Sequence, residues 1–142
     1  MSDQTSTEWK KFRLTKEQAR KAAAWWAERI RAPEYKNTTP EEDAHDPNAG
    51  MIAVLKSLAA HTKPDDIVER FRKNLEDALL QVEFWPGNDI GCDYHPDRFL
   101  YAVGKSAGLE DNLINYPWKT WMYFYPDRIE VTAGYGSARV RL

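Results

Sequence analysis

The chain contains very little cysteine: a single thiol, Cys92, in 142 residues. An internal disulfide framework is therefore excluded, and the composition fits a reducing compartment. Long apolar runs are missing as well. No stretch approaches the roughly 18 apolar residues of a membrane span, and Met1 to Glu8 is polar, without the apolar centre of a signal peptide. Charge of one sign is nearly absent too, because 20 Lys and Arg face 22 Asp and Glu for a net charge of −2. With no overall field to attract a polyanion, general binding to duplex nucleic acid is disfavoured unless basic residues cluster. The chain also lacks a phosphate-loop lysine motif, a Gly-x-Ser-x-Gly elbow and a His-Glu-x-x-His pair. A cytoplasmic protein without catalytic residues or cofactor is the expectation these absences leave.

What the chain does have is aromatic rings. It carries 6 Trp, 7 Tyr and 5 Phe although its mean hydropathy is only −0.71, so the question is whether those rings fill a core or a site. The length suits one domain able to bury a core without metal or disulfides. Residues 1–13 read as a flexible tail rich in Ser, Thr, Asp and Gln, and residues 14–142 as a single domain. Thr15-Lys16-Glu17-Gln18 is a capping box opening a helix to about Ala32, with Ala19, Ala22, Ala23, Trp26 and Ile30 on one face. Residues 33–47 hold three prolines among polar residues and read as a long loop. A short helix with an apolar surface follows around Met51 to Ala59. A third helix opens at Thr62-Lys63-Pro64-Asp65 and carries Ile67, Val68, Phe71, Leu75, Ala78, Leu79 and Val82 as a stripe to about residue 82.

After Trp85-Pro86-Gly87-Asn88 the pattern changes. Ile90, Cys92 and Tyr94 alternate as a strand, and a fourth helix from Pro96 turns Phe99, Leu100, Val103 and Ala107 inward and stops at Gly108. The C-terminal third reads as a β-meander. A type I turn at Tyr125-Pro126-Asp127-Arg128 sets Phe124 opposite Ile129, Met122 opposite Val131 and Thr120 opposite Ala133. A second turn at Gly134-Tyr135-Gly136-Ser137 sets Ala133 opposite Ala138, Val131 opposite Val140 and Ile129 opposite Leu142. All apolar residues then share one face, and a slip of one residue would scatter them. The expected fold is α+β, with a three-helix N-terminal half packed on a small, mainly antiparallel sheet and one further helix.

That register also fixes the other face. Trp121, Thr132 and Arg139 make one row, Tyr123, Glu130 and Arg141 the next, with Lys119 and Tyr125 alongside and Tyr135 at the turn. Rings beside arginines can stack a planar ligand and hold its phosphates. They are equally the residue types that anchor protein interfaces. A bland reading stands next to both: Glu130 and Arg141 as a cross-strand ion pair, and Trp121 and Tyr123 under a helix. Other constellations are weaker. Cys92 and His95 have no second ligand pair for zinc, and alternation makes Cys92 a buried thiol instead of a nucleophile. The acidic residues Glu41, Glu42, Asp43 and Asp46 lack the glycine and spacing of a calcium loop. His95, Asp93 and Lys119 form the one acid–base set that could serve an enzyme acting on nucleotides.

Tyr116-Pro117-Trp118-Lys119-Thr120-Trp121-Met122, followed by Gly134-Tyr135-Gly136, resembles small uncharacterised accessory proteins of tailed phages and prophages. Leu14-Thr15, Gln18 and Trp25-Trp26 extend the similarity over most of the chain from Leu14. The resemblance implies a setting and no catalytic residue: inhibition of bacterial antiviral defence in the host cytoplasm, by binding a host defence protein or sequestering a nucleotide immune signal. The binding residues expected are Lys119, Trp121, Tyr123, Tyr125, Tyr135, Arg139 and Arg141. A structural module that buries both sheet faces in a homo-oligomer is the alternative.

Overall fold

The computed structural model describes residues 10–31, 63–109, 116–134 and 136–142. The helix expected near residues 51–59, the loop 33–47 and Tyr135 lie outside the described residues. Within them the chain is α+β, with three helices and two antiparallel sheets. Strand β1 (Phe12–Arg13) leads into α1 (Lys16–Arg31), and α2 (Asp65–Leu80) leads into β2 (Glu83–Phe84). Strand β3 (Asn88–Cys92) and α3 (Arg98–Ala107) precede the meander β4 (Thr120–Tyr125), β5 (Arg128–Ala133) and β6 (Val140–Arg141). No helix among the described residues is long and apolar enough to cross a membrane.

The capping box at the start of α1 forms as its sequence requires. The Gln18 amide donates to Thr15 Oγ1 at 3.1 Å, and the Thr15 amide to Gln18 Oε1 at 3.0 Å, so each side chain satisfies an amide that the helix leaves without an internal partner. Gln18 then does a second job, because its Nε2 donates to the Tyr125 carbonyl at 3.0 Å and ties the helix to the β4–β5 turn. Helix α1 packs along α2, and α2 along α3. Trp26, Ile30, Phe71, Leu75 and Leu79 are fully buried between them. Arg31 of α1 pairs with Asp65 at the start of α2, where the helix dipole favours a carboxylate.

Four elements have bounds that differ from the sequence reading. Phe12 and Arg13 are a strand, because pairing with Phe84 and Glu83 places Phe12 against Phe84 at 6.1 Å and Phe84 against Phe124 at 4.7 Å. Helix α2 begins after Pro64 without a side-chain cap and ends at Leu80; Thr62 lies outside the described residues. Helix α3 begins after Asp97, not at Pro96, since the Asp97 carboxylate accepts the Leu100 amide at 2.8 Å as an N-cap. Its end at Gly108 is as expected, with the glycine at φ 92° in the left-handed region. Strand β3 stops at Cys92. Tyr94 is therefore a bend residue, 49% exposed, and not the core residue that alternation suggests.

The four-stranded sheet runs β3–β4–β5–β6. Its register pairs Thr120 with Ala133, Met122 with Val131, Phe124 with Ile129 and Val131 with Val140, as the turn arithmetic requires. Strand β3 adds Ile90 opposite Met122 and Cys92 opposite Thr120. Ile90, Cys92, Met122, Phe124, Ile129 and Val131 are all buried on this inner face. The alternation weakens at β6. Ala138 is exposed and outside any strand, and Val140 is 55% exposed although it lies beside Val131. The core ends before the last strand does.

Candidate functional site

The outer face of the sheet is built by the residues that alternate with that core. Trp121 pairs with Thr132 and Gly91, and Tyr123 with Glu130 and Asp89. Tyr125 pairs with Arg128 across the tight turn, and Glu130 with Arg141. Trp121, Tyr123 and Tyr125 are each half-buried. Gly91 makes room for the indole: a Cβ there would sit 2.1 Å from Trp121 Cε3 and 2.6 Å from the Thr120 carbonyl oxygen. The ring therefore lies across β3, over a strand position that only glycine leaves open.

The two tyrosines hold guanidinium groups. Arg139 Cζ is 3.7 Å from the Tyr123 ring centroid, and Arg128 Cζ is 3.9 Å from that of Tyr125. Both are within cation–π range, and planar guanidinium stacks well on rings. Glu130 joins the pair. Its carboxylate accepts Arg128 Nε at 2.7 Å and Arg139 Nη1 at 3.4 Å, and Arg139 Nη1 also donates to the Tyr125 hydroxyl at 3.0 Å. The hydrogen bond from Arg128 holds the Glu130 carboxyl below its usual range, and the Arg139 contact adds to this. The simple cross-strand pair of Glu130 with Arg141 is thus replaced. Arg141 instead donates weakly to the Asp127 carbonyl at 3.5 Å and remains exposed.

Of the expected binding residues, Trp121, Tyr123, Tyr125, Arg139 and Arg141 are brought together on this face and its edge. Lys119 belongs to another cluster. It sits at φ 54°, where its amide donates to the Asp93 carbonyl at 2.8 Å and its carbonyl accepts the Gly134 amide at 3.0 Å. Its ammonium pairs with the Asp93 carboxylate and lies 4.6 Å from the Tyr94 ring centroid, and Tyr94 meets Trp118 edge-on at 5.3 Å. A left-handed non-glycine residue is costly and is held by such contacts. Two members of the acid–base set, Asp93 and Lys119, therefore meet. His95 is exposed in the same bend and, among the described residues, makes no hydrogen bond or ion pair with them.

Arg128 and Gly91 are the site residues the sequence reading missed. Both had a signal in the register: Arg128 stands opposite Tyr125, and Gly91 is the small residue between the alternating Ile90 and Cys92. Behind the β4–β5 turn a polar groove of about 350 Å³ runs beside the start of α1, with Lys21, Arg128 and Arg141 balanced in part by Glu17 and Asp127. Cys92 is fully buried, and desolvation, with Asp93 and Asp97 adding to it, pushes its thiol up to about 12. Such a thiol is protonated at neutral pH and is a poor nucleophile. Among the described residues no three His, Cys, Asp or Glu side chains gather as metal ligands. Comparison with protein-family models, with curated proteins and with solved structures finds no match.

Proposed function

We propose that the chain is a non-enzymatic binding protein that recognises another protein through the outer sheet face. The observation that carries this reading is the pair of arginines laid over Tyr123 and Tyr125 and joined by Glu130. Arginines and rings already fixed in place lose little side-chain entropy on binding, which is what a protein interface anchor requires. A nucleotide phosphate entering there would meet the Glu130 carboxylate and would have to displace it from both guanidinium groups. That argues against the sequestering of a nucleotide signal. The phage-type resemblance supplies the setting, a bacterial defence protein blocked in the host cytoplasm.

The test is a plating assay in bacteria that carry individual defence systems, with and without the chain expressed. Wild type should restore phage plating against at least one system. The double variant Tyr123→Ala, Arg139→Ala should not restore it, while staying folded by circular dichroism. Cyclic oligonucleotides and ADP-ribose derivatives should leave the melting midpoint of the purified protein unchanged and be recovered intact. A ligand-induced rise in that midpoint would replace the protein-partner reading with the nucleotide one, and turnover would make the chain an enzyme.

A further inference from the structure

The two edges of the four-stranded sheet are finished differently. At the β3 edge, the outward backbone groups of Gly91 are both taken by one residue. The Gly91 amide donates to Asp97 Oδ2 at 2.8 Å, and its carbonyl accepts the Asp97 amide at 2.9 Å. The adjacent bridge from Cys92 to Pro96 continues that closure. At Gly91, therefore, a further strand has nothing to pair with.

At the β6 edge the arrangement is reversed. The Leu142 amide donates to the Ile129 carbonyl at 2.8 Å, and β6 is in register with β5 through Val131–Val140 and Glu130–Arg141. In an antiparallel ladder the hydrogen-bonded pairs alternate. Val140 and Leu142 therefore direct their backbone groups at β5, and Arg141 directs its amide and carbonyl away from the sheet. Those two groups have no partner among the described residues, and residues 136–141 are all exposed. Val140, on the core face of this edge, is the most exposed large apolar side chain of the described residues. An unpaired strand edge with an uncovered apolar residue is a template for another strand.

Charge decides which strand. A second copy of this chain, added antiparallel through the same outward groups, would set Arg141 opposite Arg141 or Arg139 of its neighbour. Like charges directly opposite each other are destabilising. Arg141, held among the described residues only by a 3.5 Å contact to the Asp127 carbonyl, instead calls for a carboxylate on the outer face of the incoming strand. Val140 calls for an apolar residue on the inner face. We propose that the free edge of β6 at Arg141 takes up an extended segment of a partner protein, with acidic and apolar residues alternating, as a fifth antiparallel strand. This rests on the protein-binding reading of the outer face and names the chemistry of its partner: the acidic side chains of the new strand continue the row of Tyr123, Glu130 and Arg141.

The probe is an end-blocked peptide of alternating Glu and Val, titrated into the isotope-labelled full chain and followed by amide shifts and hydrogen exchange. The Arg141 amide should shift and exchange more slowly, and a Lys–Val peptide should leave it unchanged. Arg141→Ala, which removes the charge, should weaken binding a few-fold, about two- to fivefold. Arg141→Pro also removes the outward amide without touching the bonds to β5, and should weaken binding by about a further three- to tenfold. A Glu–Val peptide N-methylated at alternate amides removes the same pairing from the other side, and keeps the test sharp if the proline variant does not fold. Equal binding by the Lys–Val peptide, equal binding by the N-methylated peptide, or a dimer of the free protein that Arg141→Pro dissociates would overturn the proposal. Perturbation of Trp121 and Tyr123 without Arg141 would also overturn it while leaving the outer-face reading intact. If Arg141 responds as expected but Tyr123→Ala, Arg139→Ala still restores plating, the outer-face reading fails and the strand site stands.

Discussion

The inner and outer faces of the same strands are held by different forces. On the inner face Ile90, Met122, Phe124, Ile129 and Val131 are buried against one another and the helices, and their burial is non-directional and cumulative. On the outer face Tyr123, Tyr125, Arg128, Arg139 and Glu130 are held by stacking and by hydrogen bonds with fixed directions. Such contacts at a half-exposed surface are individually weak. The difference teaches that one face stabilises the sheet and the other shapes a surface, although both come from one alternating pattern.

Substitutions across the strands test that division. Phe124→Ala should have the largest effect, about 3–5 kcal/mol lost from unfolding free energy in denaturant titration, because the ring is fully buried and packed at a tilt against Phe84. A loss below about 1 kcal/mol would place the core elsewhere. Gly91→Ala should come next, at about 1–3 kcal/mol, since the new methyl group meets both the movable Trp121 ring and the fixed Thr120 carbonyl. A shifted tryptophan emission spectrum should accompany it. If stability falls and emission does not change, Trp121 is not lying on β3.

The smallest stability effects belong to the outer face. Tyr123→Ala or Arg139→Ala should each cost no more than about 1 kcal/mol in thermal or chemical unfolding, while abolishing the proposed inhibition. A larger loss would mean that this face is structural. Acid should separate the faces in the same way. Glu130 has its carboxyl depressed by Arg128, so its contribution is present at neutral pH, where it is ionised, and is lost as pH falls through that depressed value. Arg128 and Arg139 side-chain resonances should therefore lose their ring-current shifts below the ordinary carboxylate range, with the Met122 methyl signal unmoved. Cys92 reports on the core from the opposite direction. With its thiol pushed up to about 12 by burial, it should resist alkylation at pH 8 in the folded protein and react on unfolding, and rapid labelling of the native state would show that the inner face opens.

The periodicity of the chain made much of this legible. A period of two, anchored by one proline turn, was enough to place Tyr123 opposite Glu130 and Met122 opposite Val131, because a strand cannot slip by one residue without turning its core side outward. The Thr15–Gln18 box was legible because both partners lie within one helical turn. Less legible were contacts whose partners are distant in sequence, such as Phe12 with Phe84, and side-chain choices among equivalent partners. Glu130 could reach arginines at 128, 139 and 141, and the rings beneath two of them decide the outcome. Tyr94 was misplaced because alternation alone does not mark where a strand ends; the bond between Asp97 and Gly91 does.

The sequence by itself determined the register of the meander, the residues on each face, and a composition in which near-neutral charge hides a local aromatic and basic surface. Those properties follow from local geometry, in which side chains alternate and turns fix pairing. Only the tertiary structure decided that Arg128 and Arg139 lie on Tyr125 and Tyr123 around one carboxylate, that Lys119 belongs with Asp93 and Tyr94, and that Asp97 takes the outward groups of Gly91 at one sheet edge while Arg141 leaves the other open. These depend on distances between residues that the chain brings together only when it folds, and on which of several chemically equivalent partners lies within reach.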